Sequence, residues 1–230
     1  MRPTIIAIAG FSSEVGKTTL LCNLLKRHPG WEAVKMTRGH YRSCGKDPHA
    51  CCVSPLLGNQ PLVFSGREGT DRPGKDTGRY WESGAGNVHW VVGTDDQIAK
   101  GSKIALDRIS AAGVFVEGTS FLKYVQTDYS IMVATPGGKD VKSSAAGVMS
   151  TIDALFISGV GTVDGSNALS ALWRKLALRG ISPREIPAYF DDNLDELDRR
   201  IVEVHSSFTS RNWREGSNSQ SVPGSVDPPR

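Results

Sequence analysis

GFSSEVGKTT, Gly10 to Thr19, follows a β-branched apolar run, Thr4 to Ala9 (TIIAIA), and leads into leucines at Leu20, Leu21, Leu24 and Leu25. A short continuous apolar run bounded by glycine reads as a buried strand, and that leucine spacing marks one face of a helix. Strand, turn and helix in this order make a phosphate-binding loop. Its backbone N–H groups and the positive end of the helix dipole face an anion. The strict pattern G-x4-G-K-[ST] would put its first glycine where Phe11 stands; here Gly10 comes one place earlier, giving G-x5-G-K-T. The expected nucleotide-cradling residues are Gly10, Ser12, Ser13, Glu14, Val15, Gly16, Lys17, Thr18 and Thr19. Gly16 permits close backbone approach, Lys17 can reach the β- and γ-phosphates, and Thr18 can ligate Mg²⁺.

Outward from the loop, strand-length apolar runs alternate with amphipathic stretches. Strands are expected at Glu32 to Met36, Val88 to Val92, Val114 to Glu117, Tyr129 to Ala134, Ala154 to Ser158 and Ile186 to Tyr189. Helices are expected at Lys17 to Arg27, Asp76 to Ser83, Asp95 to Ala112, Val141 to Met149, Ser166 to Arg179 and Leu194 to His205. This alternation predicts an α/β fold with a doubly wound, mainly parallel sheet in three layers, the P-loop NTPase arrangement. One such domain is expected over residues 1–209. Residues 38–73, rich in Gly, Pro, Ser, Cys and charge, read as an irregular insertion too long for an ordinary connector. Residues 210–230, rich in Ser, Asn, Gly and Pro, read as a disordered tail.

A nucleotide-hydrolysing site needs carboxylates near the loop to hold Mg²⁺ or its water. Glu117 closes the apolar run VFVE and precedes Gly118, the place where open α/β sheets carry ligands. Asp76 stands at a predicted helix start, where it is either a second Mg²⁺ ligand or an N-terminal charge. Lys17, Glu117 and Asp76 are therefore the candidate catalytic residues, and Thr18, Asp76 and Glu117 the candidate Mg²⁺ ligands. Arg38, Arg42, Arg72, Lys75 and Arg79 bracket this site and could face an anionic substrate or the phosphates. Asp164, in a glycine-rich turn after a late strand, could accept from a guanine edge or cap a helix.

Composition narrows the partners. The 230 residues carry 27 Lys+Arg against 24 Asp+Glu, a net +3 that argues against nucleic-acid binding by bulk charge. No apolar run approaches the roughly 18 residues of a membrane span. The first residues read as a strand and not a signal peptide, so a cytoplasmic chain is expected. The four cysteines, Cys22, Cys44, Cys51 and Cys52, do not form a disulfide framework pattern. His40, Cys44, His49, Cys51 and Cys52 cluster inside the insertion and are candidate Zn²⁺ ligands by type, though their spacing matches no standard zinc-finger pattern. The other reading is a reactive or incidental thiol cluster. Cys22, on the first helix, reads as core. Trp81 and Trp90 read as packing residues, and His28, His89 and His205 as structural.

Four segments together resemble the molybdopterin-guanine dinucleotide biosynthesis adaptor family, the MobB type. They are GFSSEVGKTTL (Gly10 to Leu20), VKMTRGHY (Val34 to Tyr41), RPGKDTGRYWESGA (Arg72 to Ala85) and VFVEG (Val114 to Gly118). The resemblance implies a GTP-binding protein with Mg²⁺ that assists attachment of a nucleotide to molybdopterin. It also implies a homodimer, a partner biosynthetic protein, and weak GTPase turnover if any. Met36 and Arg38 stand where that family has histidines, and the chain continues well past the family's usual end. A second resemblance, on GFSSEVGKT, the strand end at Glu117 and Lys35, is to dethiobiotin synthetases, which are ATP-dependent ligases. Small-molecule kinase chemistry, a metallochaperone GTPase and a non-catalytic adaptor are the remaining readings.

Overall fold

The computed structural model describes residues 2–39, 53, 56–136, 141–182 and 184–218, with side chains described up to residue 210. At its centre is β1 (Thr4–Gly10), buried at every position. It is flanked in parallel by β5 (Gly113–Glu117) and β6 (Tyr129–Ala134), so both of its faces are covered and its sequence is apolar throughout. Alternate side chains divide between two cores. Ile5, Ala7 and Ala9 join one, and Ile6 and Ile8 join the other.

Outside this trio lie β2 (Glu32–Arg38) and β4 (Val88–Gly93) on one flank, and β7 (Ala154–Ile157) and β8 (Ala188–Phe190) on the other. With β3 (Leu62–Ser65) they form one eight-stranded sheet in the order β3-β4-β2-β5-β1-β6-β7-β8. Every pairing is parallel except β3 against β4. The doubly wound, three-layer α/β expectation holds in this sheet. One face carries α1 (Lys17–Arg27), α3 (Asp76–Glu82) and α7 (Leu194–Asn218), through Leu20, Leu24, Tyr80, Leu197 and Ile201. The opposite face carries α4 (Ile98–Leu106), α5 (Ser143–Ala146) and α6 (Thr162–Ala177), through Ile98, Ala145, Leu172 and Leu176.

Several boundaries differ from the sequence reading. The segment expected to be irregular contains β3 and α2 (Gly66–Thr70). The edge strand is fixed by Phe64 stacking on Trp90 and by a hydrogen bond between Ser65 Oγ and His89 Nδ1 (2.8 Å). α4 is shorter than the amphipathic stretch that suggested it. The helix expected over 141–149 is the single turn α5 followed by a 3₁₀ turn, Met149–Thr151. α6 begins four residues before Ser166. Asp192, distant in sequence, accepts from Thr162 N (2.8 and 2.9 Å) and from Thr162 Oγ1 (2.9 Å), so the cap comes from the start of α7's approach. α7 runs to Asn218, into the stretch read as tail.

The three histidines and two tryptophans read as structural sit in packed positions. His28 bonds Asp198 (2.9 Å), His205 bonds Thr4 (2.8 Å), and His89 bonds Glu32 (2.7 Å). Trp81 donates to Thr70 and Trp90 to Thr37. Cys22 is buried in the core with Leu20, Leu21 and Leu24.

Candidate functional site

The carboxyl ends of β1, β2 and β5 open into a cleft of about 590 Å³. Gly10, Ser12, Ser13, Glu14, Val15, Gly16, Lys17, Thr18 and Thr19 line one wall, and Lys35, Asp76, Arg79, Glu117, Thr119 and Lys142 line the others. The loop between β1 and α1 makes its turn through two left-handed residues, Glu14 (φ 63°) and Gly16 (φ 92°). Gly16 also lies against Ser158, where a Cβ would come within 2.6 Å of the hydroxyl oxygen. Both the dihedral and the space therefore require glycine at this position. Thr119 fastens the loop's origin to the neighbouring strand end, accepting from Gly10 N (3.1 Å). Lys142 Nζ reaches across to donate to Ser13 Oγ (2.8 Å).

Lys17 Nζ donates to the Ser12 carbonyl (3.2 Å), folded back over its own loop. Burial pulls its pKa below the ordinary lysine value, with Glu117 opposing. A desolvated ammonium beside open backbone N–H groups is stabilised by any anion that enters.

The carboxylates meet opposite the loop. Lys35 and Glu117 are register partners on β2 and β5, so both side chains leave the sheet on the same face, toward α1 and α3. Glu117 is almost wholly buried, its side chain 3% exposed. Thr18 Oγ1 donates to its Oε2 (2.8 Å), Lys35 Nζ to its Oε1 (2.5 Å), and Tyr80 OH also donates to Oε2. Lys35 Nζ lies equally close to Asp76 Oδ2, at 2.5 Å. Burial raises the Asp76 carboxyl, but Lys35, Thr18 and Arg79 together outweigh it and hold Asp76 below the ordinary aspartate range. Burial likewise lowers Lys35, while Glu117 and Asp76 carry it above the ordinary lysine value. Tyr80, fully buried beside Glu117, is pushed up and keeps its proton to donate.

α3 makes this convergence possible. Asp76 and Tyr80 are four residues apart on one helix face, so a single short helix delivers a carboxylate to Lys35 and a phenol to its partner Glu117. Gly78 lets that helix approach its own lead-in; a Cβ there would lie 2.2 Å from the Arg72 carbonyl.

The structure thus brings together Gly10, Ser12 to Thr19, Asp76 and Glu117. Of the flanking cations, Arg38 and Arg79 line the cleft, Arg38 bonding Asp95 (2.9 Å). Arg72 and Lys75 are exposed and lie outside its lining. Asp164 is exposed in the first turn of α6. Arg42 and the candidate zinc ligands His40, Cys44, His49, Cys51 and Cys52 lie outside the described residues. Among the described residues no group of three or more His, Cys, Asp or Glu could hold a metal ion. Tyr80, Thr119 and Lys142 escaped the sequence reading. Only Tyr80 left a signal, its spacing of four from Asp76.

Mg²⁺ fits the donor set. Thr18, Asp76 and Glu117 offer the hydroxyl and carboxylate oxygens that hard cations take, and a cation already sits among them in the form of the Lys35 ammonium.

Fold and loop together define an α/β protein with a phosphate-loop motif between β1 and α1. Two solved structures are similar to the chain. HypB from Helicobacter pylori, in complex with nickel, is similar with a TM-score of 0.51 and 14% identity, over 89% of this chain and 88% of that one. LpxK from Aquifex aeolicus, in complex with ATP, is similar with a TM-score of 0.44 and 17% identity, over 83% of this chain. The chain spans 54% of the LpxK chain. No protein-family model and no curated protein matches the sequence. No helix among the described residues is long and apolar enough to cross a membrane.

Proposed function

We propose that the chain binds a nucleoside triphosphate with Mg²⁺ in this cleft and uses it for phosphoryl chemistry, with GTP as the preferred nucleotide. The observation that carries this is the meeting of Lys17, Thr18, Asp76 and Glu117 around one phosphate loop. Backbone N–H groups of residues 13–18 and the Lys17 ammonium bind the phosphates and compensate charge that develops on the transferred group. Thr18, Asp76 and Glu117 hold Mg²⁺, which supplies charge neutralisation for the phosphates. Tyr80 fixes the orientation of Glu117. In hydrolysis a water oxygen bonds the γ-phosphorus, the bond to the bridging oxygen breaks, and the water proton passes to solvent or phosphate. In transfer an acceptor takes the water's place.

For the pathway, the RPGKDTGRYWESGA segment supports molybdopterin-guanine dinucleotide or other molybdenum-cofactor biosynthesis, acting in the cytoplasm as a homodimer with a partner biosynthetic protein. An anionic, molybdopterin-type acceptor suits Arg38 and Arg79 on the cleft wall. A second reading, metal delivery coupled to nucleotide, draws support from the likeness to HypB, whose structure holds nickel. It would rest on the His40, Cys44, His49, Cys51 and Cys52 cluster as a Zn²⁺ or Ni²⁺ site. Substituting Lys17→Ala tests the core of the proposal: triphosphate affinity should fall roughly 100-fold, the scale of a lost charged phosphate donor. Unchanged affinity would refute it. Elemental analysis of chain purified without chelators decides the second reading; absence of stoichiometric Zn or Ni removes it.

A further inference from the structure

Lys35 occupies the place where the divalent cation is expected. Its Nζ stands 2.5 Å from Asp76 Oδ2 and 2.5 Å from Glu117 Oε1, while Thr18 Oγ1 bonds the other oxygen of Glu117. A metal held by these three residues would draw on the same two carboxylates and crowd into the same small volume. Like charges cannot share that volume, since two cations a few ångströms apart in a half-buried cleft repel strongly. Without Lys35 the two carboxylates would lose the ion pair that joins them, while Thr18 and Tyr80 still donate to Glu117.

We infer that Lys35 is a built-in counter-ion that holds the metal site closed and is displaced when Mg²⁺ arrives with nucleotide. The inference rests on the proposed Mg²⁺ site of the previous section. Lys35 leaves β2 beside Glu117 on a side chain long enough to swing aside, and the cleft it borders is open. The ion pair keeps Asp76 and Glu117 oriented in the nucleotide-free protein. It also sets a threshold, because a free divalent cation must compete with a tethered ammonium, whereas a cation carried by phosphates brings its own ligands. Lys35 is in this sense a positioning residue of the metal site.

Mn²⁺ binding to the full nucleotide-free chain, followed by electron paramagnetic resonance of the free ion, tests the inference without any turnover measurement. Lys35→Met and the more polar Lys35→Gln should each tighten Mn²⁺ binding at least ~10-fold. Adding Glu117→Gln to either should abolish the gain. Arg38→Gln removes a positive charge from the same strand and cleft, but its head bonds Asp95 and not the two carboxylates. It should change Mn²⁺ affinity less than ~3-fold. If Lys35→Met and Lys35→Gln leave the affinity unchanged, or if Arg38→Gln tightens it as much, displacement is overturned while Glu117-dependent binding keeps the metal site. If Mn²⁺ binding ignores Glu117→Gln altogether, the metal site itself fails and the inference with it.

Discussion

Glu117 gathers donors from three elements: Thr18 at the start of α1, Lys35 on β2 and Tyr80 on α3. Each donor fixes the carboxylate in one direction, so loss of one should be felt as orientation and not as unfolding. Tyr80→Phe keeps the buried ring and removes only the hydroxyl. Affinity for Mg²⁺–nucleotide should fall roughly tenfold, the scale of a hydrogen bond to a charged group. The melting temperature should move little, since the ring's packing remains. Calorimetric titration beside a thermal melt separates the two; a large stability loss with unchanged affinity would make Tyr80 a core residue only. The sequence showed Glu117 through the apolar run that it ends. It did not show Lys35 and Glu117 as register partners, because that pairing depends on which strand lies beside which.

At the scale of elements, α3 matters most, since it carries both Asp76 and Tyr80. Gly78→Ala would drive a Cβ into the Arg72 carbonyl at 2.2 Å, against backbone, where no flexible side chain can give way. A cost of about 1–3 kcal/mol is expected in urea denaturation, together with weaker Mg²⁺–nucleotide binding because Asp76 shifts with the helix. Binding unchanged at reduced stability would show that α3 does not set the site. The phosphate loop and central strands were legible because their signals are local: β-branched runs, glycines and the leucine stripe. β3 was not. It is a four-residue edge strand with one half-covered face, and its anchors Trp90 and His89 lie far along the chain. The start of α6 was hidden for a similar reason, since its cap, Asp192, is distant in sequence.

At the scale of the whole molecule, one buried polar chain ties the flank of the sheet together. Ser65 on β3 bonds His89 on β4, and His89 bonds Glu32 on β2. Glu32 also accepts from Ser110 N and Oγ and from Ala111 N, ahead of β5. Burial would raise the Glu32 carboxyl, but the bonds from His89, Ser110 and Ala111 outweigh it and hold it at about 2, against an ordinary 4.5. A carboxylate depressed on folding adds stability above its unfolded value, and that stability is lost as pH falls through the folded value. Glu32 should therefore contribute fully above pH 4.5 and lose its contribution toward pH 2. Glu32→Ala should cost about 3 kcal/mol at neutral pH, by leaving its donors unpaired, and should flatten the acid limb of a denaturation profile. A variant with the parent's acid limb would contradict this. On the proposed function, this sheet presents a phosphate loop and its carboxylates to a nucleotide. Isothermal titration with GTP and ATP, with Mg²⁺ and with chelator, tests that claim most directly. One triphosphate per chain is expected, with GTP tighter than ATP, weaker binding with chelator, and roughly 100-fold loss in Lys17→Ala. Heat from neither nucleotide, or equal binding by Lys17→Ala, would contradict it.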